Sequence, residues 1–430
     1  MNPHNAREAH DAAWTAHPEL HAEAGQLRGI ADAEGTRNGQ PKHGPADNPA
    51  EAARADIWDD DDDPIPPRGW LLGNTFCRQF LSVLIADGGT GKTALRIAQY
   101  LSCATGRKLT GEHVFARSRV LLICLEDGKD ELRRRLRAAR LHYGITAAEV
   151  KDWLYLWTPR GIRLMETNER GKAVLGELER QLRQQIELRK IDLVGIDPFV
   201  KSHGAPENDN SAIDAIASLL AAIAQEYDCA ADVVHHTRKG PSDPGNADLG
   251  RGASSLKDAG RIVDTLTPMS REEAELFNLN DQERKRLIRL DNGKANLVPR
   301  AAGARWFKLV GVNLDNSNEL YPNGDEVQTV ERWTPPDLFA GLTTAKANDI
   351  LDQIERGMPD GGRYSDHNAA KKRAAWKVVV EHGPDKNDKQ AKAVIKTWVE
   401  NGVLVSKPYY DSDRREDTAG LWVEPTKRPG

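Results

Sequence analysis

Cysteine is scarce: four in 430 residues, Cys77, Cys103, Cys124 and Cys229, widely spaced and with no CxxC pair. They read as buried thiols in a reducing compartment rather than as a disulfide framework. Long apolar runs are missing as well. Nothing approaches the roughly 18 residues of a membrane span, and the longest clean run, Phe80 to Ala86, has the length of a buried strand. The start, MNPHNAREAHDAAW, lacks the basic stretch and apolar segment of a secretory signal. These absences predict a cytoplasmic protein with no membrane partner. No internal repeat is evident.

What is present is unevenly charged. The net charge is -5, but residues 1–67 hold 14 acidic and 5 basic residues, so the remainder is mildly basic. The N-terminal 66 residues end in WDDDDDPIPP (58–67). Five adjacent carboxylates repel one another and cannot enter a core, which predicts a disordered acidic arm. A sharper alternative is an acidic mimic that occupies a nucleic-acid channel until displaced.

From Trp70 the texture changes to strand-length apolar runs alternating with helical patterns. Strands are predicted at 80–86, 119–125, 153–157, 191–196 and 230–235, and helices at 91–105, 129–143, 170–189 and 211–227. Near-continuous apolar strands separated by helices imply an α/β fold with a parallel sheet covered on both faces. Residues 261–333 look strand-rich and suggest antiparallel additions to that sheet. TPPD (334–337) reads as a linker. Residues 343–430 then form a separate small domain. Helical patterns at 345–356, 367–382 and 388–401 precede a hairpin, an order that suggests a winged helix.

After the first strand comes ADGGTGKT (86–93), a phosphate-loop pattern with Ala86 where Gly is more usual. Gly88, Gly89 and Gly91 let the backbone curl so that its N–H groups face phosphate oxygens. The start of the following helix adds its positive dipole end. Asp87, Thr90 and Ala94 complete the ATP-binding stretch. Lys92 is assigned to the β/γ-phosphates, and the Thr93 hydroxyl to Mg²⁺. A second carboxylate near the metal is expected at a strand end, and Asp197 in DLVGIDPF supplies it. Pro198 follows it, so the base must come from elsewhere. Glu126, after the strand 119–125, is assigned to polarise the attacking water, with Asp127 as the alternative. Asp127 and Asp130 also suit the first turn of a helix. VVHHTRKG (233–240) poses a separate question, whether His235 and His236 are metal ligands, a catalytic base or strand-end residues. No further ligand stands at metal-binding spacing.

The order GGTGKT, LLICLEDG, LVGIDPF, DVVHHTRKG and GRGASSLKDAGRIVDTLTPM resembles the RepA-like branch of RecA-type hexameric ATPases, which includes plasmid replicative helicases and relatives of DnaB. The resemblance covers roughly residues 66–312. It implies a RecA-type core in a hexameric ring, with ATP between subunits, single-stranded DNA through the centre, and replication proteins as partners. In a RecA-type sheet the strand 119–125 is expected beside the phosphate-loop strand, so that Glu126 faces the γ-phosphate. The resemblance makes Lys92 and Thr93 the phosphate and metal residues, Glu126 the catalytic acid, Asp197 the metal-side acid, and His236 the γ-phosphate sensor. His235, its neighbour on the strand, is expected to pack inward or to pair with a backbone group. A basic residue reaching across the subunit boundary is expected, and Arg261, Lys294 and Arg251 are its candidates. Arg238 and Lys239 begin an irregular loop (238–252) expected to face DNA, and Lys201 and His203 stand in the loop after Asp197. Lys371, Lys372 and Arg373 are the C-terminal domain's DNA candidates, although residues 343–430 hold 16 basic and 14 acidic residues. Three functions fit: a DNA-stimulated helicase, a regulatory or assembly ATPase with the same core, and a nucleotide-dependent binding module that hardly hydrolyses.

Overall fold

The computed structural model describes residues 65–168, 173–206, 209–236, 244–246, 253–299, 303–367, 370–383, 385–411 and 415–430. The acidic arm lies outside the described residues apart from Ile65 and Pro66. Arg238, Lys239 and Arg251 lie outside them too. The chain divides into two compact units, residues 1–267 with 288–332, and residues 268–287 with 333–430.

The first unit opens with a small antiparallel pair, β1 (Trp70–Leu72) and β2 (Phe76–Cys77). β3 (Leu81–Ala86) follows, then β4 (Val120–Cys124), β5 (Leu154–Trp157), the short antiparallel pair β6 (Met165–Thr167) and β7 (Ala173–Leu175), and β8 (Leu193–Asp197). β9 (Ala230–His236), β10 (Ile262–Pro268), β11 (Leu287–Ala295), β12 (Arg305–Asn313) and β13 (Glu326–Trp333) complete the strands before the second unit's hairpin. Nine of them form one sheet in the order β13-β12-β11-β10-β3-β9-β8-β4-β5. The pairs from β10 to β5 are all parallel. β3, β4 and β8 are buried at every residue, and β9 at all but its last. Strands apolar on both sides take the middle because helices cover both faces. β5, half exposed, takes the edge.

One expectation fails here. β4 does not stand beside the phosphate-loop strand, because β9 and β8 lie between them. The reason is in the helix after β3, α1 (Lys92–Thr105), which is buried at nearly every position. From it Arg96 pairs with Asp232 of β9 at 2.8 Å, and the Tyr100 hydroxyl donates to the same carboxylate at 2.6 Å. Those bonds hold β9, not β4, against β3. Gly195 of β8 lies in register with Asp232. A Cβ there would stand 2.2 Å from the Tyr100 hydroxyl oxygen, so only glycine leaves room for the tyrosine.

α2 (Lys129–His142) and the one-turn α3 (Ala147–Val150) follow β4. α4 (Glu177–Arg189) is shorter than the helix expected over 170–189. Ala173–Leu175 pairs as β7, and at Gly176 a Cβ would meet the Arg163 carbonyl oxygen at 2.1 Å. α5 (Asn210–Glu226) is capped by Asp209 and buries Ile213, Ile216, Leu220 and Ile223 on one face. α6 (Ala253–Ala259) leads into β10. A buried carboxylate ties the far side of this unit together. Glu112 accepts from Gln99 at 3.0 Å, from Thr110 at 2.9 Å, and from Thr75 and Arg305.

The second unit holds α7 (Arg271–Leu276) and α8 (Asp281–Arg284), each begun by a capping box. Then come α9 (Thr344–Arg356), α10 (Trp376–His382), α11 (Asp388–Glu400) and the antiparallel hairpin β14 (Leu404–Asp411) and β15 (Glu416–Val423). Ile350, Leu351, Ile354, Val379, Val394 and Leu421 form its core. The helix expected over 367–382 starts only at Trp376. Before it, Ala374 is extended and bridges Ser365, which breaks the helical run. Among the described residues, no helix is long and apolar enough to cross a membrane.

Candidate active site

Parallel strands bring their C-terminal tips to one edge, and the chemistry gathers there. Gly89 and Gly91 have φ of 75° and 98°, values that favour glycine. The loop is tied by the Thr90 hydroxyl, which donates to the Asp87 carbonyl at 2.9 Å. A Cβ at Gly88 or Gly89 would meet nothing within 4 Å, so the loop's mouth is open to a ligand. Helix α1 begins directly behind it, and Ala94 is buried in its first turn.

Lys92 is only 6% exposed, and its ammonium donates to the carbonyls of Ala86 (3.1 Å) and Asp87 (2.6 Å). It also meets His236 Nδ1 at 3.2 Å. An ammonium only donates, so His236 accepts at Nδ1 and carries its proton on Nε2. Burial pushes the Lys92 ammonium below its ordinary value, against the pull of Asp197, Asp87 and Glu126. The Thr93 hydroxyl donates to Asp197 Oδ2 at 2.6 Å. Burial raises the Asp197 carboxyl, against the Thr93 hydrogen bond and the charge of Lys92. A hydroxyl and a carboxylate side by side are hard oxygen donors and suit Mg²⁺. Pro198 follows Asp197 through a cis peptide bond.

Glu126 is exposed just past β4. It reaches the site through β8: Cys124 is in register with Asp197, and Leu125 N–H donates to the Asp197 carbonyl at 2.9 Å. Its charge acts on both Lys92 and Asp197. Asp127 instead pairs with Arg135 of α2 at 3.1 Å. His235 and His236 point to opposite sides of β9. His236 faces Lys92, whereas His235 is buried with its ring edge-on to Phe199.

Residues 47–242 match the family model of an AAA domain. The segment is a P-loop NTPase module. Its match spans the phosphate loop, Glu126, Asp197 and both histidines. The sheet to which this ATPase module contributes continues beyond the match through β10 to β13.

The other expected site residues are scattered. Arg261 is exposed and precedes β10, whose first residue is in register with Ser82 near the start of β3. It therefore stands at the opposite end of the strands from its own phosphate loop. Lys294 lies close to it. Its ammonium donates to the carbonyls of Lys257 and Asp258, both at 2.8 Å, at the end of α6. Burial lowers its pKa against the pull of Asp258, and Arg261 and Lys257 lower it further. Lys201 is exposed in a single 3₁₀ turn after Asp197. His203 is buried, 4.9 Å from the Phe199 ring, which corrects its expected place on a DNA-facing loop. Lys371 and Lys372 lie in a 3₁₀ turn, with Lys372 exposed. Arg373 is turned inward, against its expected place on a DNA-facing surface. It donates to the carbonyls of Arg363 and Ala419, both at 2.9 Å, and pairs with Asp411 at 3.5 Å.

Sequence reasoning missed Arg96, Asp232, Glu112 and Arg160. An arginine and a glutamine inside the otherwise apolar helix after the phosphate loop were a usable signal for the first two. Arg160, in an ordinary TPRG turn, gave none.

Proposed function

We propose that this chain couples ATP hydrolysis to binding of, and movement along, single-stranded DNA as a ring-forming RepA-like helicase. The observation that carries the hydrolytic part is the convergence of Lys92, Thr93, Asp197, Glu126 and His236 on one sheet edge. Lys92 serves the β/γ-phosphates. Thr93 and Asp197 would hold Mg²⁺, which when bound offsets negative charge on the phosphate oxygens. Glu126 takes a proton from the attacking water. The presence of this exposed carboxylate disfavours a module that only binds nucleotide. His236, bonded to Lys92, senses the γ-phosphate and passes its loss to the loop that starts at Arg238. The place of Arg261 and Lys294, far from their own phosphate loop, supports a role in a neighbouring subunit's site. The order of motifs supports the ring and the DNA partner. The C-terminal unit fits a winged-helix-like module in which Lys371 and Lys372 meet phosphate.

The inward-turned Arg373 and the near-balanced charge of that unit favour a second reading, a regulatory or assembly ATPase whose C-terminal unit docks on protein. ATP turnover with and without single-stranded DNA, together with a strand-displacement assay, separates the two. A rate unmoved by DNA and no displacement at low salt would remove the helicase reading. A strict monomer by mass measurement, with ATP and DNA present, would remove the ring.

A further inference from the structure

β4 ends at Cys124, and the carbonyls of Leu125 and Glu126 have left the sheet's hydrogen-bond ladder. Both accept from one side chain. Arg160 Nη1 donates to the Leu125 carbonyl at 2.7 Å, and Nη2 to the Glu126 carbonyl at 3.2 Å. Arg160 comes from the loop after the edge strand β5. The two carbonyls belong to the two peptide planes that meet at the Glu126 Cα. Each plane is rigid, so a planar fork bonded to both fixes the two backbone dihedrals of Glu126. Those dihedrals set the direction of its Cα–Cβ bond. On the far side, Asp127 is held by Arg135 of α2 at 3.1 Å. No hydrogen bond or ion pair from the described residues holds the Glu126 carboxylate itself, so its main chain is what aims it.

We infer that Arg160 is a positioning residue that aims the Glu126 carboxylate at the Lys92–Asp197 edge by clamping the peptide planes on either side of it. This rests on Glu126 being the water-polarising base. Both terminal guanidinium nitrogens donate to backbone carbonyls, which sets Arg160 apart from a residue that grips phosphate.

The test uses the full chain. Turnover and the binding of a fluorescent non-hydrolysable ATP analogue are measured for wild type, Arg160→Ala, Arg160→Lys, Glu126→Gln and the Arg160→Ala/Glu126→Gln double variant. A misaimed base costs rate and spares affinity, so Arg160→Ala should lower kcat about ten- to a hundredfold while analogue affinity stays within about twofold. Lysine is a point charge that cannot span both carbonyls, so Arg160→Lys should recover only part of the rate. In the Glu126→Gln background, Arg160→Ala should remove less than about twofold more, because the two act through one group. Weakened analogue binding with kcat kept would overturn the inference, as would the full loss repeated without Glu126. A wild-type rate for Glu126→Gln alone would instead remove the assignment of the base.

Discussion

Replacing Arg96 by Met should destabilise the first unit by about 3–5 kcal/mol near pH 8, the cost of breaking a buried ion pair from one side. Arg96 and Asp232 have side-chain exposures of 1% and 0% and meet at 2.8 Å. Methionine refills much of the space along the stem, so the loss is electrostatic rather than a cavity effect. The Asp232 carboxylate then keeps the Tyr100 hydroxyl at 2.6 Å. Burial already pushes this carboxyl up to about 6, against the pull of Arg96 and the Tyr100 hydrogen bond. An acid whose folded pKa lies above its unfolded value stabilises fully below the unfolded value and loses that stability as pH rises through the folded one. In the wild type Asp232 therefore gives up about 3 kcal/mol between about pH 4 and about pH 6, at 1.36 kcal/mol per pKa unit. Without Arg96 its pKa climbs further, and the variant goes on losing above pH 6. The gap between variant and wild type should open above about pH 6 and stay small below it. Urea unfolding followed by tryptophan fluorescence, at about pH 5 and about pH 8, measures it. A loss below about 1 kcal/mol at the higher pH, typical of an exposed pair, would refute the reasoning. So would a loss equal at both pH values.

Lys92→Ala should abolish tight nucleotide binding in a calorimetric titration, and retained affinity would remove Lys92 from the phosphate site. Glu126→Gln should still bind ATP but turn over about 10²–10⁴ times more slowly, the usual contribution of a positioned base. Burial would raise the Glu112 carboxyl, but Arg305 and the donors of Thr75, Gln99 and Thr110 outweigh it and hold the pKa below the ordinary carboxylate value. Its stabilisation is thus present above about pH 4.5 and lost as pH falls through the folded pKa. Glu112→Gln should cost about 1–3 kcal/mol near neutral pH and blunt acid unfolding, as read by melting across an acid series. In the second unit, Ile354→Ala should cost about 2–5 kcal/mol by calorimetry, since Ile354 is fully buried in its core.

The strand tips were legible because the chemistry there is local. A glycine-rich turn followed by Lys92 and Thr93 needs its spacing, and an acid after a run such as LVGI marks a strand end. The helices α1, α2, α5, α9 and α11 were legible from their period to within a residue or two. The order of strands was not, because it depends on Arg96, Tyr100 and Asp232 meeting across some 130 residues of chain. A charge inside an apolar helix or strand signals that it needs a buried partner, but nothing local says that these three are one another's. The helix expected over 367–382 failed for the same reason: a bridge to Ser365, absent from any local window, extends Ala374. Arg160 was invisible because its partners are carbonyls, and carbonyls carry no residue identity.

Gly195, Tyr100 and Asp232 also constrain the order in which this sequence can change. They sit on β8, α1 and β9, far apart along the chain. A side chain at position 195 has room only after Tyr100 has been replaced by something smaller. Tyr100 can shrink only if Asp232 gives up a donor to its buried carboxylate. Asp232 can lose its charge only if Arg96 is released at the same time. Drift at this place should therefore proceed in blocks of several substitutions, or not at all, while the half-exposed strand at the sheet's edge changes one residue at a time.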